Sequence, residues 1–113
     1  HHKLNNLIAI IDYNKLQSID TIQKTLNLEP FSSKWAAFGW NVIEINGHDY
    51  MEIKNALELA RDCPDSPTVV ICHTVKGKGV SFMENSVLWH YRFPHDGEEL
   101  DLAIKELSEQ FQL

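Results

Sequence analysis

Thr68-Val69-Val70-Ile71-Cys72 is the stretch on which the fold turns. It follows the breakers Pro64 and Pro67, is largely β-branched, and shows no alternation of apolar and polar positions. A short continuous run of this kind reads as a strand covered on both faces, as in a parallel sheet. Working outward, Asn41-Val42-Ile43-Glu44-Ile45 reads as the preceding strand, and Asn46-Gly47-His48-Asp49 as a turn into a helix with Asp49 and Glu52 as its capping box. On that helix Ile53, Leu57 and Ala60 share one face, while Glu58 and Arg61 point to solvent. Further out, Ile8-Ala9-Ile10-Ile11 is another apolar run, expected to be covered on both faces, and it enters the polar turn Asp12-Tyr13-Asn14-Lys15-Leu16-Gln17-Ser18. Strand, helices, strand, helix and strand at this spacing predict an α/β fold, a parallel sheet with flanking helices and right-handed crossovers.

Two short helices are expected between the first two strands. Asp20 and Gln23 form a capping-box pattern ahead of Ile22 and Leu26, and the helix closes before Pro30. Ser32 or Ser33 can cap the next, in which Trp35 and Phe38 share a face and Gly39 supplies a left-handed end. Trp35 and Trp40 are expected in the core. At the far end, Asp96 or Gly97 opens a helix with Leu100, Ala103, Ile104, Leu107 and Phe111 on one face and Glu98, Glu99, Glu106 and Glu109 largely off it.

The chain has 113 residues, enough for one domain with a modest core at 43% hydrophobic content. No apolar run approaches the roughly 18 residues of a membrane span, and no secretory h-region is present, so no membrane partner is expected and a cytoplasmic location is the default. Cys63 and Cys72 have no metal-type spacing and read as free thiols. A net charge of −6 argues against nucleic acid, whose phosphates need a basic face. Between Ser66 and His95, however, Glu84 is the only acid against Lys76, Lys78 and Arg92. That local basic balance suits an anionic small ligand.

The chemistry concentrates at strand ends. In open parallel sheets ligands bind beyond the carboxyl ends of the strands, so Asn14 and the segment His73-Thr74-Val75-Lys76-Gly77-Lys78-Gly79 are expected on one edge. Asn14 offers an amide oxygen and Leu16 a backbone carbonyl, hard donors that magnesium accepts; the alternative is an ordinary Asx-type turn. Lys76 is a point charge suited to a diphosphate, and the glycines permit close backbone approach. A dinucleotide fingerprint fails because Phe82 stands at the third glycine position, and a P-loop fails because Cys72 stands where its first glycine belongs. His90 is open to a general acid/base role, a phosphate contact or simple packing beside Trp89. From Val75 to His95 the pattern loses periodicity over a length that is usually functional, and Trp89, Tyr91 and Phe93 need packing partners.

Taken together, Asp12-Tyr13-Asn14-Lys15-Leu16-Gln17, Phe38-Gly39-Trp40 with Val42-Ile43-Glu44-Ile45-Asn46-Gly47-His48-Asp49, and Lys76-Gly77-Lys78-Gly79 with Trp89-His90 downstream resemble the thiamine-diphosphate-binding domain of transketolases. They are most similar to the separate N-terminal subunit of split enzymes. The resemblance covers nearly the whole chain, residues 1–113, as the C-terminal portion of that domain. It implies a transketolase-type transferase that passes a two-carbon ketol unit from a ketose phosphate to an aldose phosphate, with thiamine diphosphate and Mg2+ as cofactors. Asn14 and the Leu16 carbonyl match its magnesium ligands, Lys76 a cofactor-contacting lysine, and His90 the histidine near the diphosphate and reacting centre. Gln17 falls at a cofactor contact and Arg92 at a substrate contact.

His73 stands where many relatives carry lysine and takes no role. The family's Gly-Asp-Gly segment, with its aspartate ligand, is expected upstream of His1, and the glutamate that activates the cofactor is expected on a pyrimidine-binding domain or C-terminal transketolase subunit in a homo- or hetero-oligomer. The chain alone is therefore expected to be inactive. The competing reading is a non-catalytic assembly module that retains the fold.

Overall fold

β3 (Thr68–His73) carries the architecture: it pairs in parallel with β1 (Ile8–Tyr13) on one side and with β2 (Asn41–Asn46) on the other, giving the order β1-β3-β2. The computed structural model describes residues 1–111, and the side chain of Phe111, expected on the last helix's apolar face, lies outside what is described. Two compact units appear within the chain. The first comprises His1–Asn14 and Leu26–Thr74, the second Lys15–Thr25 and the residues from Val75 onward.

In the first unit the α/β layout is as expected, and β3 is enclosed up to its last residue: Thr68, Val69, Val70, Ile71 and Cys72 are all buried, and His73 at the carboxyl end is exposed. Its one buried hydroxyl, on Thr68, accepts from the Asn41 amide at 3.1 Å, which removes the penalty for an unpaired polar group. The strands extend one or two residues beyond the apolar runs, to Tyr13, Asn46 and His73. β1 departs from expectation in its cover. Among the described residues no strand pairs with its far edge, and Ile10 is 64% exposed. Branched apolar residues report a strand, not which of its faces is covered.

The helix α3 (Tyr50–Arg61) begins where the sequence places it. Asp49 accepts from the Met51 and Glu52 amides at 2.8 and 3.1 Å, but Glu52 reaches back to the Asn46 amide at 2.7 Å rather than completing the box on Asp49. Its buried residues are Ala56 and Ala60, with Ile53 packed against Ile45, Val70 and Cys72. Leu57, expected inside, is outside; the small alanines face the sheet instead.

The helix α2 (Phe31–Ala37) starts earlier than expected. Pro30 holds the N-cap position without a side-chain bond, so Ser32 and Ser33 lie in the first turn rather than capping it. Pro is well suited to helix entry because it brings a fixed φ and no N–H to satisfy. Gly39 takes the left-handed end at φ 83°, as expected. No α2 residue is buried: Trp35 and Trp40 are half-buried and meet edge to face with centroids 5.0 Å apart, and Phe38 is 82% exposed. The aromatic residues make an external cluster, not core.

In the second unit, α1 (Ile22–Thr25) is a single turn with Ile22 buried and Leu26 beyond its end. Asp20 accepts from the Thr21 amide and Lys24 ammonium, in place of the expected capping box with Gln23. The C-terminal helix α4 (Glu98–Phe111) follows Gly97 and buries Ala103, with Leu100 and Leu107 half-buried and Ile104 exposed. No helix of the described residues is long and apolar enough to cross a membrane.

Ile71→Ala should cost roughly 2–5 kcal/mol in urea denaturation, because it empties a site with no exposed surface. Ile10→Ala should cost less than about 1 kcal/mol. Equal costs would show that β1's open face is covered in solution.

Candidate cofactor site

Parallel pairing gives the three strands a common carboxyl edge. The register sets Tyr13 and Asn46 opposite His73, so Asn14, Gly47 and Thr74 follow at one level. Gly47 is required there: its amide donates to the His73 carbonyl at 2.9 Å, and a Cβ would come within 2.8 Å of the Cys72 Cβ. Thr74 donates its hydroxyl to Asp12, tying the ends of β1 and β3 together. Asn14, half-buried, leaves β1 directly beyond this tie.

The same edge holds polar groups that the sequence did not single out. Tyr13 is buried, stacks on Phe31 with centroids 4.8 Å apart, and donates to Glu29 at 2.6 Å. Burial, then the bond to Glu29 and the charges of Glu29 and Glu44, push its phenol up from 10.0 to about 12. His73 pairs with Glu44 at 2.8 Å in a half-exposed contact on neighbouring strands. Burial and the nearby Asp12 carboxylate raise the Cys72 thiol, so it behaves as packing rather than as a nucleophile.

The other expected site residues, Leu16, Gln17, Lys76, His90 and Arg92, all fall in the second unit. Lys15 adopts φ 66°, and the chain then folds back: Leu16 bridges Thr21, and the Gln17 amide donates to the Asp20 carbonyl at 2.8 Å. After β3 the chain enters successive turns. Gly77 sits at φ 73° beneath the Met83 carbonyl, 2.6 Å from where a Cβ would be, and the Asn85 amide donates to the Lys76 carbonyl at 2.9 Å. These turns put the two lysines in different situations. Lys78 is 3.4 Å from Glu84, which also accepts from the Gly79 amide, whereas no carboxylate pairs with Lys76 among the described residues.

His90 closes a 3-10 turn, Val87–His90. Its Nε2 lies 3.2 Å from the Ser18 hydroxyl, and its ring meets Tyr91 edge-on at 4.5 Å. Trp89 packs on Phe82 at 5.1 Å and lies under the Arg92 guanidinium at 4.9 Å. Arg92 also bonds Glu99 at 3.0 Å, so part of its donor set is used internally. The loop aromatics were all expected to pack, but Tyr91 and Phe93 are about four-fifths exposed, at 79% and 82%. Two glutamates placed off the apolar face of α4 have structural work: Glu99 holds Arg92, and Glu106 accepts from the Ser81 amide and hydroxyl at 2.6 and 2.5 Å. Those two bonds hold the Glu106 carboxyl below its ordinary range. Among the described residues no three His, Cys, Asp or Glu side chains gather as a metal cluster.

The chain matches the sequence profile of the transketolase thiamine diphosphate-binding domain over residues 1–105. It is 40% identical over 111 residues to one of the subunits of the apulose-4-phosphate transketolase of Phocaeicola vulgatus, an alignment covering 98% of this chain and 39% of that protein. It is 43% identical over 88 residues to a subunit of the 6-deoxy-6-sulfo-D-fructose transketolase of Clostridium sp., covering 78% of this chain and 32% of that protein. Among solved structures, the transketolase of Campylobacter jejuni superposes with a TM-score of 0.81 at 34% identity, over 99% of this chain and 17% of that one. The chain thus spans between about a third and two-fifths of the length of these two curated relatives.

The raised Tyr13 phenol favours the folded state below pH 10, and this contribution is lost as pH rises through about 12. Tyr13→Phe should therefore flatten the fall in stability between those pH values, read by denaturant titration at stepped pH. An unchanged slope would place the tyrosine in solvent.

Proposed function

The chain belongs to the transketolase family through its thiamine diphosphate-binding domain, and from that premise we propose that residues 1–113 form the C-terminal portion of this domain in a transketolase-type enzyme. The enzyme transfers a two-carbon ketol unit from a ketose phosphate to an aldose phosphate. The observation that carries the reading is the pairing of the family match over residues 1–105 with a loop in which Glu84 pairs with Lys78 and, among the described residues, no carboxylate pairs with Lys76. Relatives named for different sugars are similar to this chain at 40% and 43% identity, so likeness at this level speaks for the reaction type and not for the sugar.

The residues present fit a magnesium diphosphate in kind. Asn14 and the Leu16 carbonyl are neutral, hard oxygen donors, as magnesium takes when substrate or cofactor phosphates and water complete its shell. Thiamine diphosphate, when bound, supplies the carbanion chemistry. Lys76 offsets diphosphate charge, Gln17 contacts the cofactor, and His90 hydrogen-bonds a donor hydroxyl or carries its proton at an imidazole nitrogen. A contact from Arg92 to a sugar phosphate would use the part of its guanidinium that Glu99 leaves open. The sequence holds no Gly-Asp-Gly segment, so the aspartate ligand comes from outside these 113 residues, as does the activating glutamate of a pyrimidine-binding domain or partner subunit. The work is that of a cytoplasmic enzyme of pentose phosphate metabolism, assembled as a homo- or hetero-oligomer.

Two measurements test this. Supplied with xylulose 5-phosphate and ribose 5-phosphate, the purified 113-residue chain should show no turnover; product formation would contradict the division of the site. In the assembled enzyme, Lys76→Ala should weaken magnesium-dependent thiamine diphosphate binding by roughly 10- to 100-fold in calorimetry, the value of one charge-assisted contact. The melting temperature of the cofactor-free form should be unchanged, and a large drop there would make Lys76 structural.

A further inference from the structure

Ser18 has no role in the reading above, yet its hydroxyl lies 3.2 Å from Nε2 of His90, 72 positions along the chain. The loop beneath it is firmly held. Leu16 bridges Thr21, the Gln17 amide donates to the Asp20 carbonyl, the Ile22 amide donates to the Lys15 carbonyl at 3.0 Å, and Asp20 accepts from the Thr21 amide at 2.7 Å. Lys15 enters the loop at φ 66°, a region a residue with a Cβ seldom occupies unless its surroundings enforce it. Ile22, immediately after the loop, is buried and anchors it. A serine in a polar turn ordinarily bonds its own backbone. Here, among the described residues, the hydroxyl turns to a histidine brought in by another element.

His90 needs such a partner. It is exposed at the end of a short 3-10 turn, and its other ring contact, the edge-on Tyr91, restricts the ring plane without distinguishing its two nitrogens. A neutral imidazole has two tautomers, and which nitrogen carries the proton is set by the hydrogen bond made at the other. A hydroxyl can donate to a bare nitrogen or accept from an N–H, so one serine can hold the ring in either protonation state. Resting on the assignment of His90 made above, we propose that Ser18 is a positioning residue: its hydroxyl fixes the orientation and tautomer of His90. The imidazole then meets the donor sugar with a defined nitrogen forward. Preset geometry of this kind contributes to rate because a misplaced group loses much of its catalytic effect.

The test compares Ser18→Ala, Ser18→Thr and His90→Asn in two measurements. In the cofactor-free protein, imidazole nitrogen-15 shifts are recorded, with His90 assigned by the signals lost in His90→Asn. Ser18→Ala should move the His90 shifts toward the averaged pattern of an unrestrained imidazole, and Ser18→Thr should keep the native pattern. In the assembled enzyme Ser18→Ala should lower kcat about tenfold, the worth of one hydrogen bond. It should also move a limb of the pH-rate profile and leave the melting temperature unchanged, and Ser18→Thr should restore most of the rate. Unchanged shifts in Ser18→Ala overturn the contact, and altered shifts with unchanged kcat and pH profile overturn the positioning role. Full turnover in His90→Asn removes the assignment of His90, and with it the catalytic half of the proposal; the shifts still report on the contact.

Discussion

Two parallel ladders, both written on Thr68–His73, fix where chemistry can occur in the first unit. With β1 and β2 running the same way as β3, all three strands deliver their carboxyl ends to one edge, and the register leaves no freedom about which residues arrive there. A slip of one residue in β1 would exchange the buried Tyr13 for the half-buried Asn14 and turn every side chain of that strand to the opposite face. Burial of Thr68–Cys72 and the Asp12 to Thr74 tie resist such a slip. Gly47 adds a local constraint, since it lets the turn after β2 close against Cys72 with no side chain between.

In the second unit a different principle organises the residues: three glutamates pair with nearby donors. Glu84 takes Lys78 and the Gly79 amide, Glu99 takes Arg92, and Glu106 takes both donors of Ser81. Each contact is partly exposed and contributes little to stability alone, as surface pairs do. Their value is conformational. Glu84 and Glu106 satisfy backbone N–H groups in a long stretch without regular structure, where unpaired amides would otherwise rely on water. The turn at Gly77 and the left-handed Gly79 then have defined neighbours.

Much of this was legible in the sequence, for identifiable reasons. The strands announced themselves as continuous branched apolar runs, and Asp49 and Gly39 marked helix ends by chemistry that acts within a few residues. The family likeness was legible because three motifs stand in the right order, and the profile match over residues 1–105 bears it out. What escaped depended on neighbours distant in the chain. Nothing in Ile8-Ala9-Ile10-Ile11 says that Ile10 faces outward, because an apolar run carries no information about which sheet face is packed. Trp35 and Trp40 were expected in the core and the loop aromatics were expected to pack, yet Trp35 and Trp40 are only half-buried and Tyr91 and Phe93 lie open. Glu106 meets Ser81 across 25 positions and Ser18 meets His90 across 72, separations at which no periodic pattern operates. The serines of α2 misled for a local reason: a proline with fixed φ can open a helix two residues before the first good capping side chain.

The distribution of charge resolves an apparent conflict in the composition. A chain of net charge −6 is a poor host for a diphosphate if its charge is taken as uniform. Local potential, though, follows which charges are compensated and how near they lie, since exposed charges more than about 10 Å apart are largely screened at 0.1 M salt. From Ser66 to His95 the only acid is Glu84, and it is occupied by Lys78. Lys78 therefore contributes little net field, and Lys76, with no carboxylate partner among the described residues, dominates its surroundings. Arg92 is likewise offset by Glu99. The acidic balance resides elsewhere, much of it on α4, where Glu98, Glu99, Asp101, Glu106 and Glu109 stand against Lys105 alone. An ammonium with no carboxylate partner among the described residues, on a turn held by Gly77 and Asn85, thus describes the local potential of this loop better than the charge of the whole chain does.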